Sequence, residues 1–321
     1  MTARRKLLVG LCAAAVLQTA AAAYPDRPIR FIVPAGPGSA PDINMRMLAS
    51  ELSKQLGQQF VIDNRPGASG IIGMEMIVRA PPDGYTIGYG TSAGLVGNRT
   101  VVAALPYDPD KDLELIAQLL FGANLLAVTS SFPVKSVTEL IEYAKNNPGK
   151  LSYGSTGPGS SLHLSGELFK LMTGIRIVHV SYKTSQQADT DLIGGRVQLM
   201  FENLAPILPL VKAGRVRGLA VTSPKRSPAI PEMPTISEAG VPGYEFTTFT
   251  GLVAPVGVPK AIIAKLNAEI NKAIALPALK EKFAANGYEL VGGTAAQFAA
   301  LVKRETGKWA DILKRSTANE N

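Results

Sequence analysis

Short β-forming runs alternate with helix-forming segments along most of this chain. Ile29–Val33 and residues 60–62 and 85–89 are rich in β-branched and aromatic residues, which predicts strands. Between them, apolar residues recur at helical spacing over residues 43–56, and residues 71–80 predict a second helix. This alternation indicates an α/β fold with a largely parallel sheet.

Two long apolar, β-like segments at residues 113–129 and 246–254 are each long enough to pass from one domain to another. Further strand–helix alternation lies between them, and the chain after the second segment is mainly helical. Two crossings predict two α/β lobes, with both termini in the same lobe. We expect residues 24–124 and 247–321 to form lobe 1 and residues 125–246 to form lobe 2.

The first 23 residues predict a secretory signal peptide. Arg4, Arg5 and Lys6 form a positive start, residues 7–16 form a short apolar core, and three alanines precede Tyr24. The core is too short to span a bilayer. We therefore expect a secreted or periplasmic protein.

The single cysteine, Cys12, lies inside this predicted signal. A lipoprotein anchor is the alternative interpretation, but Leu11 is bulkier than the small residue expected before a lipidated cysteine. Removal of the signal would leave no thiol, which excludes disulfides and thiol catalysis in the mature chain.

The net charge of +8 includes three positive charges from the predicted signal. The remaining basic residues are scattered, and Trp309 is the only tryptophan. Because no basic run is interleaved with aromatic residues, the sequence argues against nucleic-acid binding. A mild positive field would still draw in small anions.

A glycine- and hydroxyl-rich loop at residues 153–163 leads from a predicted strand into a predicted helix. Gly157 and Gly159 allow a close approach of the backbone to a ligand, and Ser160 or Ser161 can cap the helix. The unpaired N–H groups of a helix N-terminus suit an anionic group.

The loop at residues 36–42 has the same position between a strand and a helix, in the other lobe. Ligands bind at the carboxyl ends of strands in open parallel sheets. Its spacing matches no nucleotide-binding loop, and no lysine follows it. Two such loops facing each other predict an anion-binding cleft.

His163 and His179 are the only histidines, and neither has further ligands at the spacing of a zinc site. We therefore expect no metal and no cofactor. A serine hydrolase that uses His163 is the alternative function, although no acid is visibly placed to orient the imidazole ring. We expect His163 to pack at the cleft edge or to stabilise the loop, and His179 to be structural.

Many collinear motifs from Tyr24 onwards resemble the Bug family, the periplasmic solute receptors of tripartite tricarboxylate transporters. The matching stretches are residues 33–42, 64–67, 82–85, 153–163, 191–195, 219–226 and 234–244. The resemblance implies a two-lobed type II periplasmic-binding-protein fold with a central cleft and a hinge. It also implies a non-enzymatic receptor for a small organic carboxylate, with the membrane subunits of a tripartite transporter, or a sensor, as partner. Since such a receptor must close, a monomer is expected.

In this family, backbone N–H groups, hydroxyls and ordered waters between two loops hold a ligand carboxylate. We assign the carboxylate to the hydroxyls of Ser155, Ser160 and Ser161 and to the N–H groups around Gly157, Gly159, Ser39 and Ala40. The distal part of the ligand is assigned to Thr91, Thr184, Asn203 and Phe249. Asp42 is expected to brace its loop rather than touch a carboxylate. The remaining expected site residues are Gly38, Pro41, Ser69, Ser92, Thr156 and His163.

Three positions depart from the family pattern. The family often has an aromatic residue where this chain has Ala35 and a glycine where it has Ser39, and residues 184–187 replace a common glycine pair. We expect these changes to alter specificity rather than abolish binding.

A structural or adhesion protein is the third functional class that the sequence leaves open.

Overall fold

The structure is a computed structural model and describes residues 24–318. The predicted signal peptide, with Cys12, lies outside the described residues. The strands are β1 (Ile29–Val33), β2 (Phe60–Asn64), β3 (Thr86–Thr91), β4 (Leu113–Gly122), β5 (Asn124–Thr129), β6 (Leu151–Ser155), β7 (Ile177–Ser181), β8 (Leu199–Asn203), β9 (Val216–Val221), β10 (Thr248–Pro255) and β11 (Tyr288–Leu290). The α-helices are α1 (Ala40–Leu56), α2 (Ile71–Val78), α3 (Asn98–Val101), α4 (Val137–Asn146), α5 (Ser161–Thr173), α6 (Ser185–Ile193), α7 (Leu204–Lys212), α8 (Lys260–Ala275), α9 (Pro277–Ala285) and α10 (Ala295–Ala318).

The strands form two sheets, which makes the α/β architecture plain. The first sheet has the order β11-β4-β10-β3-β1-β2, and the second has the order β7-β6-β8-β5-β9. The chain passes from the first sheet to the second at Ala123, between β4 and β5, and returns between β9 and β10.

The expectation of a largely parallel sheet is wrong for about half of each sheet. The pairs β1–β2, β1–β3, β6–β7 and β6–β8 are parallel, whereas every pair that includes β4, β5, β9 or β10 is antiparallel. These four strands carry the chain between the sheets without a helical crossover, and only parallel neighbours require such a crossover.

Capping boxes begin two of the helices. The Ser136 hydroxyl accepts a hydrogen bond from the Glu139 N–H (3.1 Å) at the start of α4. At the start of α10, Thr294 and Gln297 exchange reciprocal bonds of 2.8 and 3.2 Å. Both pairs satisfy donors that a helix N-terminus leaves free.

The largest buried apolar cluster contains residues from the flanks of both sheets, including Leu95, Phe169 and Trp309. Helix α10 contacts both β4 of the first sheet and α5 beside the second.

Among the described helices, none combines the length and the apolar character needed to cross a membrane.

Candidate ligand-binding cleft

A cavity of about 90 Å³ lies where the carboxyl ends of six strands converge. Loops after β1, β2 and β3 line it from the first sheet, and loops after β6, β7 and β8 line it from the second. The lining residues are Pro34, Ala35, Gly36, Ser39, Pro41, Gly67, Ser69, Gly70, Thr91, Ser92, Ala93, Thr156, Ser160, Ser161, Leu162, Lys183, Thr184, Ser185 and Asn203. This position is typical of ligand sites in parallel α/β sheets.

The structure brings together the expected site residues that carry hydroxyl or amide groups at the strand ends. Those that line the cavity are Ser39, Pro41, Ser69, Thr91, Ser92, Thr156, Ser160, Ser161, Thr184 and Asn203. The expected residues that do not line it are Gly38, Ala40, Asp42, Ser155, Gly157, Gly159, His163 and Phe249.

The N-terminus of α5 opens into the cavity. Ser160 is its N-cap, and the Ser160 hydroxyl accepts a hydrogen bond from the His163 N–H (3.2 Å). Ser161 and Leu162 begin the helix, and both line the cavity. Because no helical carbonyl precedes them, their N–H groups remain available to an anion, which the helix dipole also favours.

The N–H groups of Gly157 and Gly159 are committed to the loop itself. The Gly157 N–H donates to the Ser155 hydroxyl (2.9 Å), and the Gly159 N–H donates to His163 Nδ1 (3.3 Å). Ser155 is fully buried. These residues therefore shape the loop, and the free donors are the N–H groups of Ser161 and Leu162 at the start of α5.

The loop after β1 is braced in the way expected for Asp42. Its carboxylate accepts a hydrogen bond from the Gly38 N–H (2.8 Å) and pairs with Arg46 (3.0 Å). Burial opposes ionisation, but the bonds from Arg46 and Gly38 outweigh it and hold the pKa of Asp42 below its ordinary value. The Gly38 N–H is bound to Asp42, and Pro41 has no backbone N–H, so neither residue can donate a backbone hydrogen bond to a ligand.

Ser69 joins the two walls of the cleft. Its hydroxyl donates to the Pro158 carbonyl (2.8 Å) and lies 3.3 Å from the Thr156 carbonyl. Ala68 and Ser69 have φ values of 47° and 53°, a left-handed conformation that costs energy for non-glycine residues. The strained turn places the hydroxyl against the opposite loop.

A second contact across the cleft is made by two glycines. A Cβ atom on Gly97 would lie 2.1 Å from the Gly159 carbonyl oxygen, and one on Gly159 would lie 2.9 Å from the Gly97 carbonyl carbon. Gly97 has an ordinary helical φ of −60°, whereas Gly159 has a φ of 81°. Only glycine at both positions lets the two backbones meet.

His163 stabilises the loop and is held neutral. Burial and the neighbouring His179 lower the pKa of His163 to about 4. The His179 Nε2 atom lies 2.6 Å from the Ser155 hydroxyl, beneath the cavity rather than in it. The structural role expected for both histidines fits this arrangement, and the serine hydrolase alternative finds no support.

Phe249 lies in the core rather than in the cleft. It is 1% exposed and belongs to the largest apolar cluster. It pairs with Phe121 of β4 in the first sheet and does not line the cavity. We leave it out of the proposed site.

Sequence reasoning missed several lining residues, notably Leu162, Lys183 and Ser185. Lys183 is exposed and has no hydrogen bond or ion pair with another described residue. Lys183 and Ser185 flank the expected Thr184, and their position after the end of β7 is the signal that could have selected them. Among the described residues, no group of three metal-ligating side chains is present.

Ala35 lines the cavity, which gives its departure from the family pattern a physical meaning. Ala35→Phe should fill part of a cavity of only about 90 Å³ and weaken the cognate ligand roughly tenfold or more. Isothermal titration calorimetry measures this loss. An unchanged affinity would remove Ala35 from the site.

Comparison with known proteins places this geometry among solute receptors. Residues 44–317 match the family model described as the tripartite tricarboxylate transporter family receptor. BugT of Bordetella pertussis is 35% identical over 296 residues, which cover 92% of this chain and 91% of BugT.

Two solved structures are similar over most of their length. R. palustris Rpa4515 with adipate has a TM-score of 0.90 and 40% identity, and the match covers 92% of this chain and 98% of that one. MatC from Rhodopseudomonas palustris with bound malate has a TM-score of 0.85 and 29% identity, with 90% and 99% covered.

Proposed function

Because this chain belongs to the tripartite tricarboxylate transporter receptor family, we propose that it is an extracytoplasmic receptor for a small organic carboxylate. It would hold the solute in the cleft between the two sheets and deliver it to a membrane transporter or a sensor. The observation that carries this proposal is the α5 N-terminus, whose free N–H groups open into the cavity.

The chemistry of the cleft suits a carboxylate. The N–H groups of Ser161 and Leu162 and the hydroxyls of Ser160 and Thr156 offer several donors, whereas the Ser39 hydroxyl donates to the Gly36 carbonyl (2.6 Å). Hydrogen bonds from several donors to an ionised group can replace a guanidinium. Lys183 at the cavity adds one positive charge that no described acid neutralises.

Binding is coupled to closure in this proposal. We assign residues 24–124 and 247–321 to one lobe and residues 125–246 to the other, joined by the two crossings. The contacts of Ser69 with Pro158 and of Gly97 with Gly159 hold opposite loops together, as a closed form requires. A ligand would favour this form to the extent that it bonds both walls at once.

The remaining parts of the proposal follow from the family. The receptor acts in the periplasm after removal of residues 1–23, works as a monomer and catalyses no reaction. Its macromolecular partners are the membrane subunits of a tripartite transporter, or a sensor in their place. The adipate and malate bound by similar receptors support carboxylate as the ligand class.

A thermal-shift screen of unfolded and refolded protein against small carboxylates tests the function. Refolding removes any ligand that co-purifies and would mask a shift. A ligand at 100 times its Kd should stabilise the protein by about 2.7 kcal/mol, which raises Tm by a few degrees.

The panel should contain mono-, di-, tri- and aromatic carboxylates with matched amines as controls. A shift confined to one class of carboxylate would support the receptor and name its solute class. If refolding is verified and no carboxylate shifts Tm, the proposed function fails. A turnover assay on model esters would then examine the hydrolase alternative.

A further inference from the structure

The side chain of Asn203 is tied to the residue before it. Its Nδ2 lies 3.1 Å from Glu202 Oε1, and its backbone N–H donates to the same oxygen at 2.7 Å. Glu202 is fully buried on β8, whereas Asn203 ends that strand and lines the cavity. One buried carboxyl oxygen therefore fixes both the backbone and the side chain of Asn203.

This bond determines which way the amide faces. Glu202 Oε1 accepts the backbone N–H of Asn203, and the amide group that meets the same oxygen is a second donor, Nδ2. The amide oxygen is consequently turned away from Glu202. It has no hydrogen-bond partner among the described residues, and it is not among their fully buried polar atoms without a partner.

The Asn203 amide oxygen also makes no capping hydrogen bond to the helix that follows it. Asn203 is the N-cap of α7, where an asparagine oxygen ordinarily accepts a bond from the second or third helical N–H. The third helical residue is Pro206, which has no N–H, and the side chain of Asn203 makes no capping bond. The oxygen is therefore an accessible, unpaired acceptor on a residue that lines the cavity.

We infer that Asn203 is a specificity-determining residue whose amide oxygen accepts a hydrogen bond from the ligand. The cleft would then select carboxylates that also carry a hydroxyl, ammonium or amide donor. This inference rests on the proposed function, because it refines the ligand class of the same cleft. A plain carboxylate offers only acceptors and would leave the Asn203 oxygen without a partner.

Matched ligand pairs test the inference in the wild-type mature protein. Calorimetry should compare succinate with malate and aspartate, and glutarate with 2-hydroxyglutarate, after the protein has been refolded. The donor-bearing member of at least one pair should bind roughly tenfold more tightly or better. This comparison does not depend on any variant folding.

Variants then test whether the preference for donor-bearing carboxylates depends on Asn203. Asn203→Leu should reduce the preference within that pair to less than about threefold, because it removes the acceptor and keeps a similar volume. Asn203→Ala is the second variant if leucine disturbs folding. Glu202→Gln keeps an oxygen for the two Asn203 donors and should retain the preference. Asn146→Leu, at an exposed position on α4, is the matched control and should retain it too.

The possible results separate the two proposals. If plain and donor-bearing carboxylates bind equally well to the wild-type protein, the inference is overturned and the receptor function stands. A preference that survives Asn203→Leu also overturns the inference. If no carboxylate binds, the proposed function fails, and the inference fails with it.

Discussion

Gly97→Ala should weaken ligand binding by about 5- to 150-fold while the protein remains folded. The added Cβ would lie 2.1 Å from the Gly159 carbonyl oxygen on the opposite wall, so the two loops could no longer meet. Overpacking of this kind costs about 1–3 kcal/mol. The backbone at Gly97 is helical, so alanine introduces no strain there. Calorimetry gives the Kd.

Small-angle scattering on the same variant distinguishes a failure to close from a damaged site. With saturating ligand, Gly97→Ala should keep a larger radius of gyration than the wild type, because the closed form is blocked. Gly307→Ala is the matched control, since nothing lies within 4 Å of its added Cβ. A wild-type Kd for Gly97→Ala would show that closure does not need the contact with Gly159.

Asp189→Asn should stabilise the protein increasingly as the pH rises from 4 to 7. Asp189 is 7% exposed, and its Oδ1 has no hydrogen-bond partner among the described residues. Burial raises the pKa of Asp189 to about 7 from an ordinary value of 3.8. The nearby Glu202 is also buried, and burial together with Asp189 raises the pKa of Glu202.

Proton linkage determines whether the free energy of unfolding rises or falls with pH. Between pH 4 and 7 the unfolded chain releases the Asp189 proton and the folded protein keeps it, so the free energy of unfolding falls as the pH rises. Asparagine has no proton to release. The variant should therefore gain about 4 kcal/mol over the wild type between pH 4 and pH 8, and the gain should level off above pH 7, where the folded carboxyl ionises.

Denaturant unfolding at pH 4, 6 and 8 measures this gain. The lowered pKa of His163 acts in the opposite direction, because stability is lost as the pH falls from 6.5 towards 4. That effect is common to both proteins and cancels in the difference. Glu142→Gln removes an exposed carboxylate from α4 and controls for net charge. A difference that is constant across pH would contradict a buried, protonated Asp189.

The elements around the cleft could be predicted because strand ends leave strong local signals. Glycine and hydroxyl residues after β6, followed by a capping serine, identified the loop and the α5 N-terminus. Thr91 and Asn203 also follow strand ends and line the cavity, whereas the choice of Thr184 rests on the family resemblance. These signals depend on residues close together in the chain, and such residues can be read without a tertiary structure.

The use of each donor could not be predicted, because it depends on contacts between distant residues. The Ser155 hydroxyl meets His179, which lies 24 residues away, and the Ser69 hydroxyl donates to the Pro158 carbonyl, 89 residues away. Phe249 lies in an apolar segment that the sequence predicted as a crossing, but that segment is β10 of the first sheet, and the burial of Phe249 depends on the pairing of β10 with β3 and β4. The short strand β11 carries too few residues for a period to show.

The placement of α5 has an evolutionary consequence. An anion held by the main-chain amides of Ser161 and Leu162 is anchored by atoms that every residue except proline supplies. Point mutations can therefore exchange neighbouring side chains such as Ala35 and Thr184 without erasing the anchor. Duplicated genes for such a protein could acquire new ligands in single steps, because each intermediate would still hold an acid.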